Sequence, residues 1–108
     1  MNKFDKIELS KRVAEKYGVE DYVVYGVDDY GAALPFTWLA DDSARCFELA
    51  VEYDIHIKWY KNCYVECDYW IEDGEISGTT TEEYADHADA KEATRIAILK
   101  CLDEMKGE

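Results

Sequence analysis

Residues 55–71 alternate twice in polarity, with a short break between the two runs. Ile55, Ile57 and Trp59 fall on one side of the first run, and His56, Lys58 and Tyr60 on the other. Lys61 and Asn62 interrupt. In the second run Cys63, Val65, Cys67, Tyr69 and Ile71 share one face, and Tyr64, Glu66, Asp68 and Trp70 the other. A period of two puts successive side chains on opposite faces of a strand. Two such runs joined by a turn predict a β-hairpin. Glu72-Asp73-Gly74 offers a second turn, and the threonines in 75–80 favour a third strand. The face carrying Ile55, Ile57, Trp59, Cys63, Val65 and Cys67 then buries against helices.

Three segments have helical spacing. In 3–17, Phe4, Ile7, Val13, Ala14 and Tyr17 recur about once per turn, and Gly18 suits the residue just past a helix end. In 41–53, Asp41 or Asp42 can cap, and Cys46, Phe47, Ala50 and Tyr53 form an apolar stripe. In 89–105, Asp89 and Glu92 have the spacing of a capping box. Ala93, Ile96, Ala97, Leu102 and Met105 make its buried face, broadened by Ile98 and Cys101. Glu92 and Arg95, one turn apart, read as a surface ion pair.

The 108 residues make one domain. It comprises an N-terminal helix at 1–17, a loop-rich acidic segment at 18–40 broken by Gly26, Gly31 and Pro35, and an αββ(β)α core at 41–108. The expected class is α+β, with an antiparallel sheet of about three strands packed with helices.

Charge is distributed unevenly over this plan. The chain has 25 Asp+Glu against 12 Lys+Arg, a net charge of −13. Residues 1–17 and 91–108 are close to neutral. Residues 18–90 hold 18 acids against Arg45, Lys58 and Lys61, a balance of −15. Self-repulsion of that size opposes compaction and exceeds what solubility needs. It predicts a surface for a positively charged partner. It excludes direct binding of nucleic acid or anionic lipid, since both are held by Lys and Arg. No apolar stretch approaches the length of a membrane span. The charged N-terminus lacks the core of a signal peptide, so a cytoplasmic location is expected.

On the polar strand face Glu66 and Asp68 lie about 6.8 Å apart, on the scale of neighbouring phosphates. Tyr64 and Trp70 share that face and suit interface anchors. Asp28, Asp29, Glu72 and Asp73 add acids in the adjoining loops. Asp28, Asp29, Tyr64, Glu66, Asp68, Trp70, Glu72 and Asp73 together form the expected partner-binding set. A solvated sheet face, or one covered by residues 1–30, is the alternative.

No catalytic, cofactor or metal signature accompanies them. Neither His56 nor His87 has a nucleophile or metal-ligand spacing beside it. Clustered aspartates lack the ordered ligands of an EF-hand loop. Cys63 and Cys67, about 13 Å apart along one strand, are too far apart for a disulfide and read as core residues.

From Pro35 onward the layout resembles small phage and prophage proteins of the phage ABA-sandwich type. The residues that carry the resemblance are Pro35-Phe36-Thr37, the helix from Asp41 to Tyr53, the strands with Trp59 and Trp70, and Ala93-Thr94-Arg95-Ile96-Ala97-Ile98. It implies phage origin and α/β/α layering, and no assigned chemistry. With the acidic face, it leads to the expectation of a non-enzymatic inhibitor, of anti-CRISPR or anti-restriction type. Such a protein would bind a basic surface of a host nucleic-acid-binding complex in the bacterial cytoplasm. A nucleotide sponge and a structural phage accessory protein are the alternatives.

Overall fold

The computed structural model describes residues 3–19, 39–70 and 76–105. Its elements run α1 (Lys3–Tyr17), a 3-10 turn (Leu39–Asp41), α2 (Ser43–Glu52), β1 (His56–Tyr60), β2 (Tyr64–Trp70), β3 (Ile76–Glu83), a second 3-10 turn (Tyr84–Asp86) and α3 (Ala90–Met105). The sheet is antiparallel in the order β1-β2-β3. The α+β class with an N-terminal helix is the one the sequence implies. No described helix is long and apolar enough to cross a membrane.

The helix ends follow local chemistry. Gly18 adopts φ 63, and the Val19 amide closes on the Ala14 carbonyl at 3.0 Å. This is the six-to-one bond of a Schellman end. α2 begins where Asp42 Oδ1 accepts the Arg45 amide at 3.1 Å. It ends the same way as α1, with Asp54 at φ 55 and the Ile55 amide on the Ala50 carbonyl at 2.8 Å. The α2 end therefore delivers Ile55 straight into the core.

α3 occupies the centre of the molecule. β2 and β3 pack on one side of it, and α1 and α2 also pack against it. Nine of its residues are buried: Glu92, Ala93, Thr94, Ile96, Ala97, Ile98, Leu99, Cys101 and Leu102. They surround the helix instead of forming one stripe, as a helix with neighbours on several sides requires. Periodicity alone gives one broadened face, because it cannot separate the sheet contact from the helix contacts.

The hairpin register pairs Trp59 with Val65 and Lys58 with Glu66, and β2 pairs Cys67 with Thr80 and Asp68 with Thr79. Val65, Cys67 and Tyr69 are buried against α3, as expected of that face, but Trp59, expected on it, stays half-exposed at the edge strand β1. Cys63 is exposed in the turn beside Asn62, which holds φ 59, so the expectation of core packing fails for it. Ile71 lies outside the described residues. β3 extends to Glu83, three residues beyond the expected end, because Thr81, Glu82 and Glu83 pair with Glu66, Val65 and Tyr64; a register shift between Tyr69 and Trp70 lies at its other end.

Two helix faces also differ from expectation. α1 buries Leu9, Ser10, Val13 and Ala14. Ser10 is tolerated there because its hydroxyl donates to the Lys6 carbonyl at 2.8 Å and accepts the Ala40 amide at 3.0 Å. α2 buries Cys46, Leu49 and Ala50, while Phe47 stays 41% exposed.

Candidate functional site

The outer face of the sheet carries the described half of the expected partner-binding set. Directly opposed residues in an antiparallel pair share a face. His56, Lys58 and Tyr60 thus stand beside Asp68, Glu66 and Tyr64, with Thr79, Thr81 and Glu83 beyond. Among the described residues all three helices lie on the other side, around α3, so this face is left to solvent by them.

Its aromatic side chains form two pairs. Tyr60 and Tyr64 stack with centroids 4.5 Å apart and planes at 25°. His56 meets Trp70 edge-on at 4.1 Å and 67°. The tyrosine pair has the spacing of a favourable stacked contact, and the His56–Trp70 pair is closer still. The pairs brace the two ends of the hairpin and leave the charged residues between them.

Those charged residues do not form a bare row of carboxylates. Lys58 Nζ lies 4.0 Å from Glu66 and 3.8 Å from Asp68. Thr79 donates to Asp68 Oδ1 at 2.8 Å. Asp68 is only 3% exposed. Its expected place in the contact surface is therefore corrected, because neighbouring side chains cover it and occupy its oxygens. Glu66 remains partly accessible. Asp28, Asp29, Glu72 and Asp73 lie outside the described residues. Glu83, at the end of β3, is an exposed acid of this face, and the other exposed acids that are described lie elsewhere, among them Glu48 and Glu52 on α2, Asp54, and Asp86 and Asp89 after β3.

A second polar cluster lies at the junction of α1, β3 and α3. The His87 side chain is 1% exposed. Its Nε2 lies 2.9 Å from Glu82 and its Nδ1 3.4 Å from Glu92. Lys100 bonds the other oxygen of Glu82 at 2.8 Å, and Lys6 bonds Glu92 at 2.7 Å. Lys6, chiefly by its hydrogen bond and aided by His87, lowers the Glu92 carboxyl below its ordinary range.

This cluster corrects two readings. Asp89 does cap α3, accepting the Glu92 amide at 2.8 Å. The Glu92 side chain, however, turns to Lys6 and His87 and not to Arg95. Arg95 donates to the Ala40 carbonyl at 2.7 Å and to Ser43 Oγ at 2.9 Å, tying α3 to the start of α2. With the ring enclosed and both nitrogens engaged, the arrangement works as a structural joint between β3 and α3. The Glu82/His87 spacing of five residues was visible in the sequence, but it is not a helical contact spacing and carried no signal there.

Three of the four thiols, Cys46, Cys67 and Cys101, are equally enclosed. Burial pushes Cys46 up to about 12. Cys67 is also raised, by its hydrogen bond with Cys101 and by burial. Cys101 donates to the Cys67 carbonyl at 3.2 Å and meets Thr80 Oγ1 at 3.2 Å. Among the described residues no group of three or more His, Cys, Asp or Glu is placed to hold a metal ion.

Comparison with protein-family models, with curated proteins and with solved structures finds nothing that matches this chain.

Proposed function

We propose that this protein is a non-enzymatic interaction module that binds a basic surface of a nucleic-acid-binding host protein. The observation that carries the reading is the outer sheet face, on which Tyr60/Tyr64 and His56/Trp70 stand as fixed aromatic pairs within a region of charge −15. Aromatic anchors on a rigid sheet are the side chains that dominate binding energy at protein interfaces. A surrounding acidic field speeds encounter with a basic partner and steers its orientation.

The placement of Asp68 and Lys58 changes how such a surface would work. Anchoring falls to Trp70, Tyr64 and Tyr60, with Glu66 as the accessible acid of the strand. The long-range field comes from the acids of α2 and the loops, so the charge attracts and the rings hold. The resemblance to small phage proteins supports a partner among host defence complexes that handle DNA or RNA. Occupation of their basic groove would inhibit them.

The test is affinity capture from bacterial lysate at low and high salt, with each captured protein then assayed for nucleic-acid binding. The expected result is capture of a DNA- or RNA-binding protein, weakening steeply with salt and lost with Trp70→Ala and Tyr64→Ala. Capture that ignores both salt and these substitutions would overturn the reading.

A further inference from the structure

On the helical side of the molecule, α2 presents a second apolar stripe that no described element covers. Phe47 is 41% exposed and Val51 is 81% exposed, and with Ala44 they follow the i, i+3, i+7 spacing of one helix face. Two hollows meet at Phe47. One, of about 350 Å³, runs between α2, Trp59 and the first turn of α3. The other, of about 410 Å³, lies along Ala44, Val51 and the acids Glu48 and Glu52.

Trp59 makes the first hollow a formed wall. It is 54% exposed, yet its indole N–H donates to Thr94 Oγ1 at 2.9 Å. The Thr94 hydroxyl in turn donates to the Ala90 carbonyl at 2.7 Å. The one polar atom of the indole is thus engaged inward, and the ring offers the groove only apolar area. Small-molecule sites combine apolar walls with several converging polar groups. The second hollow has only the Glu48 and Glu52 carboxylates beside its apolar wall, and both sit at its rim.

We propose that this groove seats an amphipathic helix of a partner protein, with apolar side chains against Phe47, Val51 and Trp59 and Lys or Arg along the flank facing Glu48 and Glu52. Charge complementarity selects this occupant. The open rim along α2 is acidic at Glu48 and Glu52, while Lys91 lines the α3 side of the first hollow, so a basic flank is matched on the α2 side. A second copy would bring another chain of charge −13, with the same glutamates, to the same surface. The exposed ridge of α2 has the side-chain spacing that another helix packs against. The groove is separate from the outer sheet face, so its test and that of the proposed function fail independently.

The experiment is an amide NMR titration of the full chain with a synthetic helical peptide of Leu and Lys at amphipathic spacing. A Leu/Glu peptide of the same pattern serves as control. The expected shifts cluster at residues 44–52, 59 and 90–94, with the Lys peptide only. Val51→Gln, charge-neutral and at an exposed position, should weaken binding about tenfold by removing apolar contact. Glu48→Gln with Glu52→Gln should weaken it several-fold and flatten its salt dependence. Shifts centred on Tyr64 and Trp70, equal binding of the Glu peptide, or affinity unchanged by Val51→Gln would each overturn the proposal. Concentration-dependent shifts on α2 without peptide, abolished by Val51→Gln, would overturn it in favour of a second copy.

Discussion

The Trp59 indole donates its N–H to the Thr94 hydroxyl at 2.9 Å, across the gap between the edge strand β1 and the second turn of α3. The bond fixes a half-exposed aromatic ring that would otherwise sample several rotamers. Thr94→Val keeps the side-chain shape and removes the acceptor. We expect a loss of about 1 kcal/mol in urea unfolding and a shifted, faster-exchanging Trp59 indole resonance by NMR. An unchanged indole signal would show that packing alone holds the ring.

His87 joins β3 to α3 through Glu82 and Glu92. His87→Ala removes two charge-assisted contacts and leaves a void among four charged groups. The expected cost is about 2–4 kcal/mol, measured by denaturant titration. The double variant His87→Ala/Lys100→Ala should lose less than the sum of the two single variants, because both act through Glu82.

Glu92 gives the fold an acid limit. Its carboxyl is held below the ordinary value of 4.5, chiefly by Lys6. The folded state therefore favours the ionised form more than the unfolded state does. That contribution is fully present above about pH 4.5 and is lost as pH falls through the lowered folded value. Thermal melts between pH 7 and pH 3 should show falling stability at the acid end. The Glu92→Gln protein, less stable at pH 7, should show a shallower decline.

Gly78 lies beneath the ring of Tyr69, its partner across β2 and β3. A Cβ at this position would collide with that ring. Gly78→Ala should destabilise by about 1–3 kcal/mol through displacement of a buried aromatic. The paired change Gly78→Ala/Tyr69→Val should recover part of the loss.

Thiol accessibility separates Cys63 from the other cysteines. Cys63 is exposed, and Cys46, Cys67 and Cys101 are buried. A colorimetric thiol reagent should find one fast-reacting group per native chain and four in denaturant. Two or more fast thiols would mean that the β2–α3 interface opens on the timescale of the assay.

What could be read from the sequence is what depends on near neighbours. The alternation in 55–60 and 63–71 fixes strand faces because pleating has a strict period. Asp42, Asp89 and Gly18 mark helix ends because each acts on amides within a turn or so. Expectations failed where a residue's fate depends on distant chain. Phe47 fits the α2 stripe as well as Leu49 does, and only the direction of α3 decides that Leu49 is covered and Phe47 is not. Glu92 stands as near Arg95 as any helix pair, yet Lys6, 86 positions away, takes its carboxylate.

By itself, then, the sequence determined the kinds and order of the main elements and the concentration of negative charge in the middle of the chain, while the hairpin register, Tyr60 opposite Tyr64 with Cys63 in the turn, came from the structure. Tertiary structure decided which charges are spent internally. It set Lys58 between Glu66 and Asp68, and it closed His87 inside a ring of carboxylates and lysines. The reason is physical. Backbone periodicity acts over a few residues, whereas the worth of a charge depends on burial and on partners brought close only by folding.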